Sequence, residues 1–274
     1  MNYHIVADTS CDLFTLPECP PGADFATVPF SIRIGDREFI DDVHMPVDEM
    51  LEANENHGVA AQTSCPSPQD WLDRFSAPGP VVAFTISSAL SGSYNSACTA
   101  RDMLREEQPD KEIAIIDSKA TGPEIILLIR RACDLIRQGL PFKNIERDLI
   151  DTAARTHILF ALASYHNLVR AGRVSRLVGL IAGTLHLWGI GIGDENGKIA
   201  MRGKARGQKN MVRAMAEEIQ KIGVSGKEIV ISHCQNEEGA LALKALLTGH
   251  KVDIFPTRGL DSFYAERRGL IVGF

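Results

Sequence analysis

The 274-residue chain is predicted to fold as an α/β protein of two α/β domains, the first carrying a mostly parallel sheet, with a ligand cleft between the domains. Short apolar runs alternate with segments of helical spacing, the order that βαβ units impose. The length suits one large or two ordinary domains, and a hydrophobic content of 45% is ample for a core. Several apolar runs end in hydroxyl-rich loops, and open α/β sheets bind ligands beyond the carboxyl ends of their strands.

From the N-terminus, Tyr3–Ala7 reads as the first strand and runs into Asp8-Thr9-Ser10. Ala26–Ile34 reads as the second, with Gly35-Asp36 as a hairpin turn between SIRI and REFI. Pro46–Asn54 has helical spacing. Thr63-Ser64-Cys65-Pro66 stands directly before the helix Pro68–Phe75, whose start is written out by Ser67 as N-cap, Pro68 at the first helical position and Asp70 in the first turn. Val81–Ile86 is a strand that stops in the hydroxyl cluster around Leu90-Ser91-Gly92-Ser93, and Gly92–Arg105 continues as helix. Ile113–Asp117 and Pro123–Gln138 repeat the strand–helix order, and Lys143–Ala154 is a further helix. The domain boundary is expected near Thr156, giving domains 1–156 and 157–274. The second half reads as strand Ile158–Ala161, helices through Gly183, strands Trp188–Ile192 and Ile199–Arg202, and helix Gln208–Lys221. Strands Glu228–Ser232, Val252–Phe255 and Leu270–Phe274 complete it.

Composition excludes several classes. A formal charge of -6 without a basic block or a basic-aromatic pattern argues against nucleic acid as a partner. Cys11, Cys19, Cys65, Cys98, Cys133 and Cys234 are scattered with no C-x-x-C pair, so neither a metal site nor a disulfide framework is expected. The opening MNYHIVADTS has no leader pattern, and reduced thiols fit a cytoplasmic setting. Leu177–Gly193 is apolar, yet it is short, Gly-rich and interrupted by His186. It therefore reads as a buried helix running into a strand, and no integral membrane span is expected.

The catalytic signatures fail one by one. H-E-x-x-H, Walker A and G-x-G-x-x-G are absent; Gly189-x-Gly191-x-Gly193 precedes Asp194-Glu195-Asn196-Gly197, which suits a hairpin and not a phosphate loop. Ser91 has Ala89 two residues before it, so the G-x-S-x-G elbow is missing. An esterase or acyl-transfer enzyme using Ser91 is the alternative to a binding protein, and it requires His233, after EIVIS, to reach Ser91. Ser87, Ser88, Ser91 and Ser93 can serve as caps and turn residues. They can equally meet a small acidic group where a helix start offers free N–H donors.

In order along the chain, IVADTSCDL, VPFSIRIGDREFID, TSCPSP, ISSALSGSYNSA, AIIDSKA, LVRAGRVS and GKARGQK resemble the motifs of the DegV family of bacterial fatty-acid-binding proteins. The resemblance implies that a long-chain fatty acid such as palmitate lies in an apolar tunnel, with its carboxylate near hydroxyls in the cleft and no further cofactor. It also implies presentation of the acid to a separate ATP-dependent fatty acid kinase by a monomeric binding subunit. Carried over by motif, Thr63, with Ser64 beside it, and Ser91 hold the carboxylate, and the Gly92 and Ser93 N–H groups lie nearby. Arg173 in AGRVS and Arg206 in KARGQ match positions tied to the head group and the kinase encounter. Burying a dozen methylenes at about 0.8 kcal/mol each makes the tail dominate affinity and leaves orientation to the hydroxyls.

The chain also departs from the family pattern. The C-terminal His-x-Gly-x-Gly is replaced by Ser262-Phe263-Tyr264-Ala265-Glu266, Lys-Pro falls at Gly189-Ile190, and the Gln of Thr-Ser-Gln-Pro is Cys65. A divergent paralogue that takes another lipid without kinase coupling is therefore a further alternative, as is a two-domain interaction protein with a closed cleft.

Overall fold

The computed structural model of the protein describes residues 2–56, 58–174 and 187–274. In chain order its strands are β1 (Tyr3–Asp8), β2 (Ala23–Val28), β3 (Ser31–Ile34), β4 (Arg37–Ile40), β5 (Ala61–Ser64), β6 (Val81–Thr85) and β7 (Ile113–Asp117). They continue as β8 (Ile158–Leu162), β9 (Leu187–Gly193), β10 (Ile199–Arg206), β11 (Glu228–His233), β12 (Lys251–Pro256) and β13 (Leu270–Gly273). The described helices are α1 (Val47–Glu55), α2 (Pro68–Phe75), α3 (Ser93–Glu107), α4 (Pro123–Arg137) and α5 (Phe142–Ala153). After them come α6 (His166–Arg170), α7 (Gln208–Ile222), α8 (Glu237–Leu246) and α9 (Gly259–Ala265).

The first sheet, in the order β2-β1-β6-β7, is parallel throughout. Central β6, VVAFT, is buried at every position, because helices cover both faces of such a sheet. Alternate side chains serve the two sides. Val6, Val81 and Ala83 pack with Trp71 and Phe75 of α2 and Leu104 of α3. Ile5, Ala7, Val82 and Phe84 pack with α4 and α5. The start of α2 carries a complete capping box between Ser67 and Asp70.

The second sheet, β10-β9-β8-β13-β11-β12, is antiparallel except for the β11–β12 pair. One face, with Leu159, Trp188, Ile190 and Ile231, is covered by α7 and α8. The other, with Ile158, Phe160, Leu162 and Ile271, joins a cluster that includes Ile32, Phe39 and Met50 from the first part of the chain. Those residues belong to a small antiparallel sheet, β4-β3-β5, and to α1. Glycine at 273 lets α4 approach β13, since a Cβ there would lie 2.6 Å from the Glu124 nitrogen.

Most predicted elements are found, and three readings change. The stretch Ala26–Ile34 is not one strand: it breaks at Pro29-Phe30, so that β2 joins the parallel sheet and β3 the small one. Proline lacks the N–H that a continuous ladder needs at that point. Ala61–Ser64, read as part of a loop, is strand β5, paired with β3. Helices α8 and α9 are additions. The helix expected from Leu177 onward, with its close-packing Gly179 and Gly183, lies outside the described residues, whereas Leu187–Gly193 forms β9. Among the described residues no helix is long and apolar enough to cross a membrane. All six cysteines are free thiols.

The alternating glycines of β9 have a packing role. Phe160 of β8 is paired with Gly191, and a Cβ at 191 would lie 2.4 Å from the Phe160 ring. Gly189 and Gly193 likewise make room for the Tyr165 ring and the Ile158 side chain. Gly191→Ala is expected to displace Phe160 and cost about 1–3 kcal/mol, the usual penalty for overpacking a core. Urea unfolding measures it, and an unchanged midpoint would contradict this packing account.

Candidate ligand-binding site

Phe30 and Ile86, at the ends of the small and parallel sheets, face Ile158, Phe160, Leu162 and Ile271 of the second sheet across a cavity of about 180 Å³. The cleft is therefore built from both halves of the chain and is mainly apolar. Thr63, Cys65, Ser91, Gly92, Arg173 and Tyr264 also line it.

The serine turn is held from below by Asp8, at the end of β1. Its carboxylate accepts from Ser10 Oγ (2.5 Å), Ser93 Oγ (2.6 Å) and the Ile86 N–H (3.0 Å). Burial pushes the Asp8 carboxyl up to about 6, and these hydrogen bonds oppose the shift. The neighbouring serines are occupied as well. Ser87 Oγ donates to the Gly197 carbonyl (2.8 Å), tying this turn to the β9–β10 hairpin, and Ser88 Oγ donates to Asp117 (2.5 Å). Ser91 differs: its Oγ accepts from the Ser93 N–H (3.3 Å), and no bond among the described residues uses its own proton. A Cβ at Gly92 would make only an ordinary contact with Cys65 Sγ, at 3.4 Å, so the two loops meet here without needing glycine.

Strand alternation decides which hydroxyl of β5 reaches the cleft. Thr63, paired with Ile32, faces inward, while Ser64, paired with Ser31, is exposed. Thr63 Oγ1 lies 2.8 Å from Tyr264 Oη. Arg173 sits at the cavity mouth, where its Nε donates to the Leu90 carbonyl and Nη1 to the Ala171 carbonyl (2.8 Å). Of the residues predicted for the site, Thr63, Ser91, Gly92 and Arg173 are thus brought together. Ser64, Ser93 and Arg206 are not on the cavity wall. Ser64 points to solvent by strand alternation, Ser93 donates its N–H to Ser91 Oγ and its hydroxyl to Asp8, and Arg206 is exposed at the end of β10 opposite Leu187. His233 does not line the cavity, and its Nδ1 accepts the Asn236 N–H (3.2 Å), so a Ser91–His233 pair is not assembled.

Tyr264 is the site residue that sequence reasoning missed. It lies in the very stretch, Ser262–Glu266, that departs from the family pattern, and a phenol there was the available signal. Its ring packs edge-on against Phe263, with centroids 4.9 Å apart. Burial raises its phenol above the ordinary value, opposed by the Thr63 hydrogen bond and the Arg173 charge.

Helix α9, which carries Tyr264, is anchored by buried carboxyls. Asp41 accepts from the Gly259 and Leu260 N–H groups (3.0 and 2.9 Å), and Asp12 Oδ1 from the Arg258 N–H (2.6 Å). Thr121 Oγ1 donates to Asp261 Oδ1 (2.7 Å). The remaining oxygens, Asp12 Oδ2 and Asp261 Oδ2, converge beside Gly122, where a Cβ would lie 3.1 and 2.5 Å from them. Neither has a hydrogen-bond partner among the described residues, although the Ser232 hydroxyl, itself without a partner, lies near enough to favour the ionised form of Asp12. A single proton held between them satisfies both. Burial pushes Asp12 up to about 7 and Asp41 up to about 6; burial and the neighbouring Asp12 raise Asp261 well above the usual carboxylate range. Among the described residues no group of three or more His, Cys, Asp or Glu is placed to hold a metal ion.

A mainly apolar cleft between the two sheets, with hydroxyls, Arg173, Lys119, Lys198 and Asp261 as its polar lining, marks an α/β ligand-binding protein whose ligand is largely apolar with a polar group. The chain belongs to the DegV family, described as uncharacterised proteins, whose family model matches residues 2–259. A DegV domain-containing protein of Streptococcus pneumoniae is 37% identical over 100% of this chain and 99% of its own length. The crystal structure of the fatty acid kinase B3 protein of S. pneumoniae, loaded with linoleic acid, matches with a TM-score of 0.96 at 37% identity, over 100% of this chain and 99% of that one. A DegV family protein of Eubacterium eligens, loaded with heptadecanoic acid, matches with a TM-score of 0.94 at 32% identity, over 99% of this chain and 98% of that one.

The buried acids set a pH dependence. Each has a raised folded-state pKa, so between the ordinary carboxylate range and about 7 the folded protein binds more protons than the unfolded chain. Stability is therefore greatest at the acidic end of that window and falls as pH rises through it. Asp261→Asn supplies an amide donor to Asp12 without a shared proton, so its melting temperature should fall less between pH 5 and pH 8 than that of the parent. Equal slopes for the two proteins would remove the shared proton from this account.

Proposed function

We propose that the protein binds one long-chain fatty acid in this cleft, with the carboxylate at Thr63 and Ser91 and the acyl chain along Ile158, Phe160, Leu162 and Ile271. The observation that carries the reading is the joining of that apolar wall to a small polar end inside one cavity. The fatty acids bound in the crystal structures of two relatives support it. An acyl chain gains roughly 0.8 kcal/mol per buried methylene, less the cost of ordering it. The Ser91 hydroxyl and the Gly92 N–H at the start of α3 can solvate the head group, since a carboxylate is costly to bury without donors. Arg173 adds charge at the mouth.

The same reading makes the protein a carrier that presents its acid to a separate fatty acid kinase, without a cofactor of its own. Neutral donors leave a carboxylate oxygen able to attack the γ-phosphorus of ATP on the kinase, with ADP as the leaving group. Arg206, exposed on β10 with Arg202 and Lys204, suits that encounter better than ligand contact. A monomer in the cytoplasm, with 1–156 and 157–274 as its two domains, completes the proposal.

Lipid extraction and native mass spectrometry of the purified protein should detect one long-chain acid per chain. Protein that is empty and also fails to bind acids of about fourteen to eighteen carbons, long enough to bury a dozen methylenes, would overturn the reading. Thr63→Val and Ser91→Ala should each weaken binding about tenfold in calorimetric titration, the scale of one hydrogen bond to a charged group.

A further inference from the structure

We propose that Tyr264 acts on the ligand through Thr63: the phenol donates to Thr63 Oγ1, and Thr63 donates its own proton to the carboxylate. The inference rests on the fatty-acid reading and assigns Tyr264 as a positioning residue for the head group.

The geometry leaves two senses for the 2.8 Å contact, because either oxygen can donate. Each hydroxyl has one proton, and neither makes another hydrogen bond among the described residues. Chemistry chooses between them. A phenol is the stronger acid of the two, and its oxygen, conjugated with the ring, is the poorer acceptor. The alkanol of Thr63 is therefore the better acceptor and the phenol the better donor. Arg173 reinforces that sense, since its positive charge makes the phenol more acidic and so a stronger donor. Once Tyr264 has donated, the Thr63 proton is free to turn into the cavity, and hydrogen bonds in series polarise one another.

Both ends of the pair are held. Thr63 is fixed by β5 pairing with β3, and Tyr264 by α9, which Asp12 and Asp41 bind at its start. The ring is further confined by Phe263 and by the Phe30, Ile86 and Leu260 cluster. The relay thus joins a hydroxyl from the first part of the chain to one from its end, and forms only when the cleft is assembled.

The test is a double-mutant cycle on oleate affinity. Tyr264→Phe should weaken binding about fivefold and Thr63→Val about tenfold, the scale of single hydrogen bonds. The double variant should bind like Thr63→Val alone, because Tyr264 has no route to the ligand without Thr63. The NMR signal of carboxyl-labelled oleate should shift in both single variants. Multiplying effects would overturn the relay in favour of direct contact by Tyr264, and an unchanged Tyr264→Phe would overturn any role for the phenol. Should Tyr264→Phe fail to fold, replacing tyrosine by 3-fluorotyrosine strengthens the donor in the intact protein. Tyr3, Tyr94 and Tyr165 do not line the cavity, so tighter binding that disappears in Thr63→Val supports the relay, and no change sinks it. A parent protein that binds no fatty acid at all would instead overturn the proposed function.

Discussion

Buried carboxyl groups beyond the carboxyl ends of the parallel strands hold this site together. Asp8 gathers the end of β1, the end of β6 and the start of α3 by three hydrogen bonds, so the turn carrying Ser91 and Gly92 has little freedom. Asp12 and Asp41 do the same for the start of α9, and Asp261 within α9 is tied to Thr121. Burying a carboxyl is expensive unless donors or a proton compensate, and here both are used. Backbone N–H groups and hydroxyls serve Asp8 and Asp41, and a proton serves Asp12 with Asp261. The cost is met by groups that also fix where the ligand-facing hydroxyls point.

The apolar half of the cleft depends on a different constraint. A sheet face that carries Phe160 and its neighbours needs somewhere to lay the side chains, and β9 supplies it by omitting Cβ atoms at 189, 191 and 193. The glycine pattern, read from the sequence as leading into a hairpin and not a phosphate loop, is a seat for large side chains. In a close-packed interior an added methyl at these positions would push on Phe160, which is shared by the second sheet and the cavity wall. The small sheet β4-β3-β5 closes the arrangement by placing Thr63 against α9, so the two halves of the chain share one binding surface.

Much of the fold was legible in local pattern. Continuous apolar runs marked β6 and β7, the Ser67 cap with Pro68 and Asp70 marked the start of α2, and Gly35-Asp36 marked the β3–β4 hairpin. The errors lie where local signals are weak. AQTS has too few apolar residues to declare itself a strand, and β5 exists because β3 offers it a ladder. Likewise, α9 is seven residues long and depends on caps contributed by Asp12 and Asp41, more than two hundred positions away (Asp41 to Leu260 is a separation of 219).

The sequence by itself determined the α/β class, the parallel first sheet and the hydroxyl-rich loops, because strand alternation, helix spacing and turn chemistry act between near neighbours. It also brought Thr63, Ser91, Gly92 and Arg173 forward as candidates through ordered motifs. Only the tertiary structure decided which hydroxyls face the cleft. Ser93 is consumed by Asp8, Ser64 turns to solvent, and Tyr264 arrives from the far end of the chain to meet Thr63. Side-chain direction and hydrogen-bond partnership at a site are set by what the assembled sheets and helices bring within 3 Å, and no local pattern encodes that meeting.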